Sequence, residues 1–174
     1  MAKGYSTFDA HKAIGIKYQR FRGWLENNYI VPSIRKADGV AVRAELSKSD
    51  IYLSGLFKEL TRFLTRDEAK IVLDEVLGYS KTVLSIPKHR EKFIDADGFF
   101  NDVDNIVVVM WNGSFPKDKT TKNGPMVIIY GPEMYKKPIG DLLSLKGYYK
   151  AEEYTSQHMV NFKKIRESID AKLS

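Results

Sequence analysis

Gln19, Arg22, Gly23 and Glu26 recur at i, i+3, i+4 and i+7, the spacing that places four side chains on one face of a helix. Tyr18, Phe21 and Leu25 are expected on the opposite face as an apolar stripe. Glutamine can pair with an adenine edge and arginine with a guanine edge or a phosphate, so Gln19 and Arg22 read as candidates for base recognition in duplex DNA. Lys17, Arg20 and Trp24 flank this face and read as phosphate contacts or as packing. A glycine inside a helix costs about 1 kcal/mol against alanine. Gly23 therefore marks either close approach by a DNA strand or simple tolerance in a short helix.

A second cationic group follows. Arg35, Lys36 and Arg43 surround an Asp38-Gly39 turn, where Ile34, Val40 and Val42 alternate with polar residues as in a small hairpin. Such a hairpin could carry its cations to a phosphate backbone or a minor groove. The charge of the 174-residue chain is distributed accordingly: the formal net charge is +6, and nine cations against four anions leave +5 of it in the first 48 residues. That balance suits a polyanionic partner.

Other chemistries find little support in the sequence. With no cysteine, there is no disulfide, thiolate nucleophile or zinc–thiolate site. His11, His89 and His158 fall on separate predicted helices, and none has a second ligand four residues on. Asp95-Ala-Asp97-Gly98 begins like a calcium loop, but the twelfth position, where a glutamate is needed, is Ile106. Asn123-Gly124-Pro125 and Gly131-Pro132 read as turns, lacking the Lys-Ser/Thr ending of a phosphate loop. The expectation is no metal, no cofactor and no enzyme. The longest apolar run is too short to span a membrane, so a soluble, cytoplasmic, nucleoid-associated protein without a membrane partner is expected.

The elements that must position these residues follow from caps and periodicity. Ser6 or Thr7 opens a short helix that Gly15 ends, and a second helix is expected over residues 17–27, with Asn28 in the left-handed cap conformation and Pro32 beyond it. Ser47-x-x-Asp50 and Thr65-x-x-Glu68 each open a further helix as capping boxes, and Gly78 is expected to end the set. Two domains follow, 1–78 and 79–174. In the second, strands are expected over 82–86, 106–111 and 126–130, with helices over 87–94 and 151–173. Lys117, Lys119 and Lys122 fall in the loop between the last two strands. Phe162, Ile165 and Ile169 of the last helix read either as a dimer seam or as packing on that domain's own sheet.

The run Gly15-Ile-Lys-Tyr-Gln-Arg-Phe-Arg-Gly-Trp-Leu-Glu-Asn-Asn-Tyr-Ile-Val-Pro32 resembles the second helix and exit of the MerR family. Arg22, Trp24, Glu26, Ile30 and Pro32 stand where that family has an arginine, its second tyrosine, an acidic residue, an aliphatic and a proline. Gln19, Gly23 and Asn28 depart from the pattern, and the resemblance covers roughly residues 5–77. It implies an N-terminal MerR-like winged helix-turn-helix; with the strands and helices expected beyond residue 78, the chain reads as α+β, that domain being followed by a small α+β domain with a C-terminal helix. It further implies a sequence-specific DNA-binding regulator, with a homodimer or a protein partner engaged through the second domain. The alternative is an architectural, segregation or mobile-element protein that binds DNA and recruits a partner through that domain. The interruption of the element after the DNA-binding part departs from the family's usual dimer helix.

Overall fold

The structure, a computed structural model, describes residues 4–36, 43–85, 106–111, 126–130 and 156–173. It is α+β: mostly helical, with a small antiparallel sheet and a C-terminal helix. The chain divides into two compact units, one of Met1–Asp102 with Lys164–Ser174 and one of Val103–Lys163. The hairpin turn at Asp38-Gly39, the expected helix over 87–94, His89, the aspartates from Asp95 to Asp104 and the lysines at 117, 119 and 122 lie outside the described residues.

In the first unit, β1 (Tyr5–Ser6) leads directly into α1 (Thr7–Ile14), which Ser6 caps in a reciprocal box with Asp9. Gly15 ends α1 in the left-handed conformation at φ 72°, which a glycine adopts without steric cost. After Ile16 and Lys17 the chain enters α2 (Tyr18–Glu26). Asn28, at φ 56°, then turns the chain so that the Tyr29 N–H donates to the Trp24 carbonyl at 2.9 Å, closing the helix as expected.

Strand β2 (Glu45–Leu46) pairs antiparallel with β1, in the register Tyr5 with Leu46 and Ser6 with Glu45. Glu45 also exchanges both backbone hydrogen bonds with Arg35, at 3.1 and 2.8 Å, so the base of the expected hairpin forms. Helix α3 (Lys48–Leu60) starts at the expected Ser47–Asp50 box. The Asp50 carboxylate is buried, and its Oδ2 accepts from the Ser33 N–H, the Ser33 hydroxyl and the Ser47 N–H at 2.8–2.9 Å. One side chain thus caps α3 and holds the segment leaving α2.

Helix α4 (Arg66–Ser85) opens at the Thr65–Glu68 box and runs through Gly78 without a break. The expected stop at Gly78 and the expected strand from residue 82 are both corrected. The buried stripe Ala69, Val72, Leu73 and Val76 continues to Ser80, whose hydroxyl is satisfied by the Leu77 carbonyl at 2.8 Å. Burial along that stripe outweighs the roughly 1 kcal/mol that one exposed glycine costs a helix.

The second unit contains the three-stranded antiparallel sheet, in which β3 (Ile106–Trp111) lies between β4 (Met126–Tyr130) and β5 (Ser156–Asn161). Val108 sits opposite Ile128 on one side and Met159 on the other. The two apolar runs form strands with the expected bounds. The last element differs: residues 156–161 are strand, and the helix is confined to α5 (Phe162–Leu173). From Lys164 onward this helix belongs to the first unit. Ile165 and Ile169 close over Gly55 of α3, a packing partner that neither expectation for this helix named. Among the described residues, no helix is long and apolar enough to cross a membrane.

Candidate nucleic-acid interface

Helix α2 is anchored from one side only. Phe21 and Trp24 are buried, with Trp24 set edge-on against Phe57 of α3 at 4.9 Å between centroids and an interplanar angle of 86°. Tyr29 stacks on the far side of the same cluster, 5.5 Å from Phe57, and its hydroxyl donates to Asp67 at 3.0 Å. That hydrogen bond is the main reason the Tyr29 phenol is held above its ordinary pKa, burial adding to it. The start of α4 thereby braces the exit of α2.

Trp24 is only 1% exposed, so of its two readings, phosphate contact or packing, the structure shows packing. The core stripe of α2 is Phe21 and Trp24 at i and i+3, and Tyr18, expected within it, is 44% exposed. Tyr18 lies at the edge of the helix beside His11 of α1, ring centroids 5.4 Å apart, with Phe8 on the other side of His11 at 5.2 Å. The His11 imidazole Nδ1 is 3.1 Å from the Ile16 carbonyl and fastens the turn between the two helices. Sequence reasoning missed this exposed aromatic edge. The signal was Trp24 itself, since a tryptophan three residues after Phe21 shifts the apolar arc away from Tyr18.

The outward face of α2 matches the expected spacing. Gln19, Arg22 and Glu26 are exposed, and a Cβ added to Gly23 would meet nothing within 4 Å. The Arg22 Nε–H donates to Glu26 Oε1 at 2.6 Å, with the two side chains 65% and 56% exposed. The Asn27 side-chain amide donates to the Gly23 carbonyl at 2.7 Å, so the helix end is satisfied without using that face.

The remaining candidates fall into two groups. Lys17 is the N-cap residue of α2 and is exposed, and Lys36 and Arg43, each next to or near the Arg35–Glu45 bridge, are exposed as well. Among the described residues these three side chains make no ion pair. Arg20 and Arg35 are instead turned to structural use. Arg20 lies over the Trp24 ring at 5.3 Å and reaches the Thr61 hydroxyl at 3.4 Å. Arg35 pairs with Glu45 at 3.3 Å and donates through Nε to the Arg43 carbonyl at 3.3 Å, locking the hairpin base. Two lysines also reach the C-terminal carbonyls of α1, Lys58 on Ile14 at 3.0 Å and Lys172 on Ala13 at 3.3 Å. They offset the negative end of that helix just before the turn.

Among the described residues, no three His, Asp or Glu side chains gather as a metal site. In comparisons with known proteins, no family model and no curated protein matches the chain.

Proposed function

We propose that the chain is a sequence-specific double-stranded DNA-binding protein, most simply a MerR-like transcriptional regulator. In this reading α1 and α2 form a helix-turn-helix, the segment from Ser33 to Leu46 is its wing, and α2 enters the major groove. The observation that carries it is the division of α2. Phe21 and Trp24 fix one side of the helix in the core, while Gln19 and Arg22 are exposed on the other and, among the described residues, a Cβ added at Gly23 would meet nothing within 4 Å. Glutamine and arginine are the side chains whose hydrogen-bonding groups match adenine and guanine edges. Lys17, Lys36 and Arg43 are the exposed cations placed to meet phosphates, with Arg20 and Arg35 stiffening the elements that carry them.

Titration with random-sequence duplex at several salt concentrations tests the proposal, comparing the intact protein with an Arg22→Ala/Arg43→Ala variant. Binding should weaken steeply as salt rises, because each phosphate contact releases counterions, and should weaken further in the variant. A folded protein that binds no duplex at low salt refutes the proposal.

A further inference from the structure

The outward face of α2 carries an anion where a polyanion is proposed to dock. Glu26 is 56% exposed and lies one turn from Arg22, and a carboxylate there repels phosphate. Among the described residues its carboxylate bonds only Arg22 Nε. That contact uses the inner N–H of the guanidinium and leaves both terminal amino groups, Nη1 and Nη2, without a partner among the described residues. A guanidinium held by Nε presents two parallel donors in a fixed plane, the geometry that matches guanine O6 and N7 together. Gly23, beside Arg22 on the same face, has no side chain to obstruct that approach.

We infer that Glu26 is a positioning residue for specificity: it holds Arg22 in the plane that reads a guanine and keeps it from swinging to a phosphate. The inference rests on the duplex-binding reading above. A free arginine at this position would be drawn to the backbone, which binds every sequence alike. Glu26 therefore exchanges some affinity for discrimination, as a repulsive element in a specific interface does.

The test is a duplex selection followed by competition titrations with the intact protein, Glu26→Ala, Glu26→Gln and Arg22→Ala, with circular dichroism confirming that each remains folded. The intact protein should prefer guanine at one position by about tenfold or more. Glu26→Ala should lose most of that preference while binding random duplex about two- to fivefold more tightly at low salt. Glu26→Gln keeps an acceptor oxygen for Nε and should retain the preference, and Arg22→Ala should abolish it. A guanine preference unchanged in Glu26→Ala, or lost equally in Glu26→Ala and Glu26→Gln, overturns the inference. Salt-dependent binding by the intact protein with no base preference also overturns it, while leaving duplex binding intact. Absence of any duplex binding removes both.

Discussion

Helices α2 and α3 lie in the same unit and are used in opposite ways. Helix α3 is buried without interruption from Ser49 to Phe57, so every turn of it is enclosed. Helix α2 buries Phe21 and Trp24 and leaves Tyr18, Gln19, Arg20, Arg22 and Glu26 at the surface. A helix enclosed on all sides is consumed by the fold, whereas one held along a single stripe has a face left over for a partner. The difference also explains where alpha-helical glycines are placed. Gly55 in α3 is required, since a Cβ there would lie 2.7 Å from both Ile165 and Ile169 of α5, whereas at Gly23 in α2 a Cβ would meet nothing.

The sharpest way to break the comparison is at a buried side chain that ties the two helices together. Trp24→Ala removes the ring packed on Phe57 and should destabilise the protein by about 3–5 kcal/mol, the usual cost of emptying a large aromatic site. Urea unfolding would show it as a lower midpoint. A loss near zero would mean that α2 is not held through its buried stripe.

Next in size is the contact between α3 and α5. Gly55→Ala should cost about 1–3 kcal/mol by overpacking. Adding Ile169→Ala makes room for the new methyl, so the double variant should lose less than the two single losses combined, a coupling that thermal unfolding of all three proteins would measure. Strict additivity would place α5 elsewhere.

The same contact predicts a response to alkali. Tyr52 is buried and its hydroxyl donates to Asp170 of α5 at 2.6 Å, with Lys48 reaching the same carboxylate oxygen at 2.9 Å. Burial, and then the bond to Asp170, push the Tyr52 phenol up from 10.0 to about 12. For Lys48, burial works against the charged form, but the hydrogen bonds to Tyr52 and Asp170 outweigh it, and its ammonium too is raised. Both shifts favour the protonated group in the folded state. The stability they contribute is complete below about pH 10, where the unfolded tyrosine is still protonated, and is lost as the pH climbs toward 12. In Tyr52→Phe the part of this alkaline decline due to the phenol should disappear, as unfolding measured from pH 8 to pH 12 would show. An identical decline in both proteins would exclude Tyr52 as its source.

Much of the first unit was legible because its signals are local. Ser6, Gly15, Asn28, Ser47 and Thr65 each set a helix end through a side chain or a backbone angle within a few residues, and each acts as its type suggests. What could not be read was set by contacts distant in sequence. Gly78 looked like a stop, but its helix continues, with buried residues on both sides of it at Val76 and Ser80. Trp24 read either as a phosphate contact or as packing, and the choice is made by Phe57, thirty-three residues away. The return of α5 to Gly55 spans more than a hundred residues, and no periodicity within α5 names its partner. On the outward face of α2, spacing alone sufficed to group Gln19, Arg22, Gly23 and Glu26, because a helix fixes its own surface neighbours.

The smallest effect carries the sharpest information about that face. With open space around Gly23, Gly23→Ala should stabilise the protein by about 1 kcal/mol, since alanine gains helix propensity without a clash. If a DNA strand approaches α2 closely, the same methyl should weaken duplex binding severalfold even as the melting temperature rises. The two readouts then move in opposite directions, which no general damage to the fold can produce. A variant that is more stable and binds as well as the intact protein would show that Gly23 is merely tolerated. The close approach would then have to be made at Gln19 or Arg22, through side chains long enough to bridge a gap.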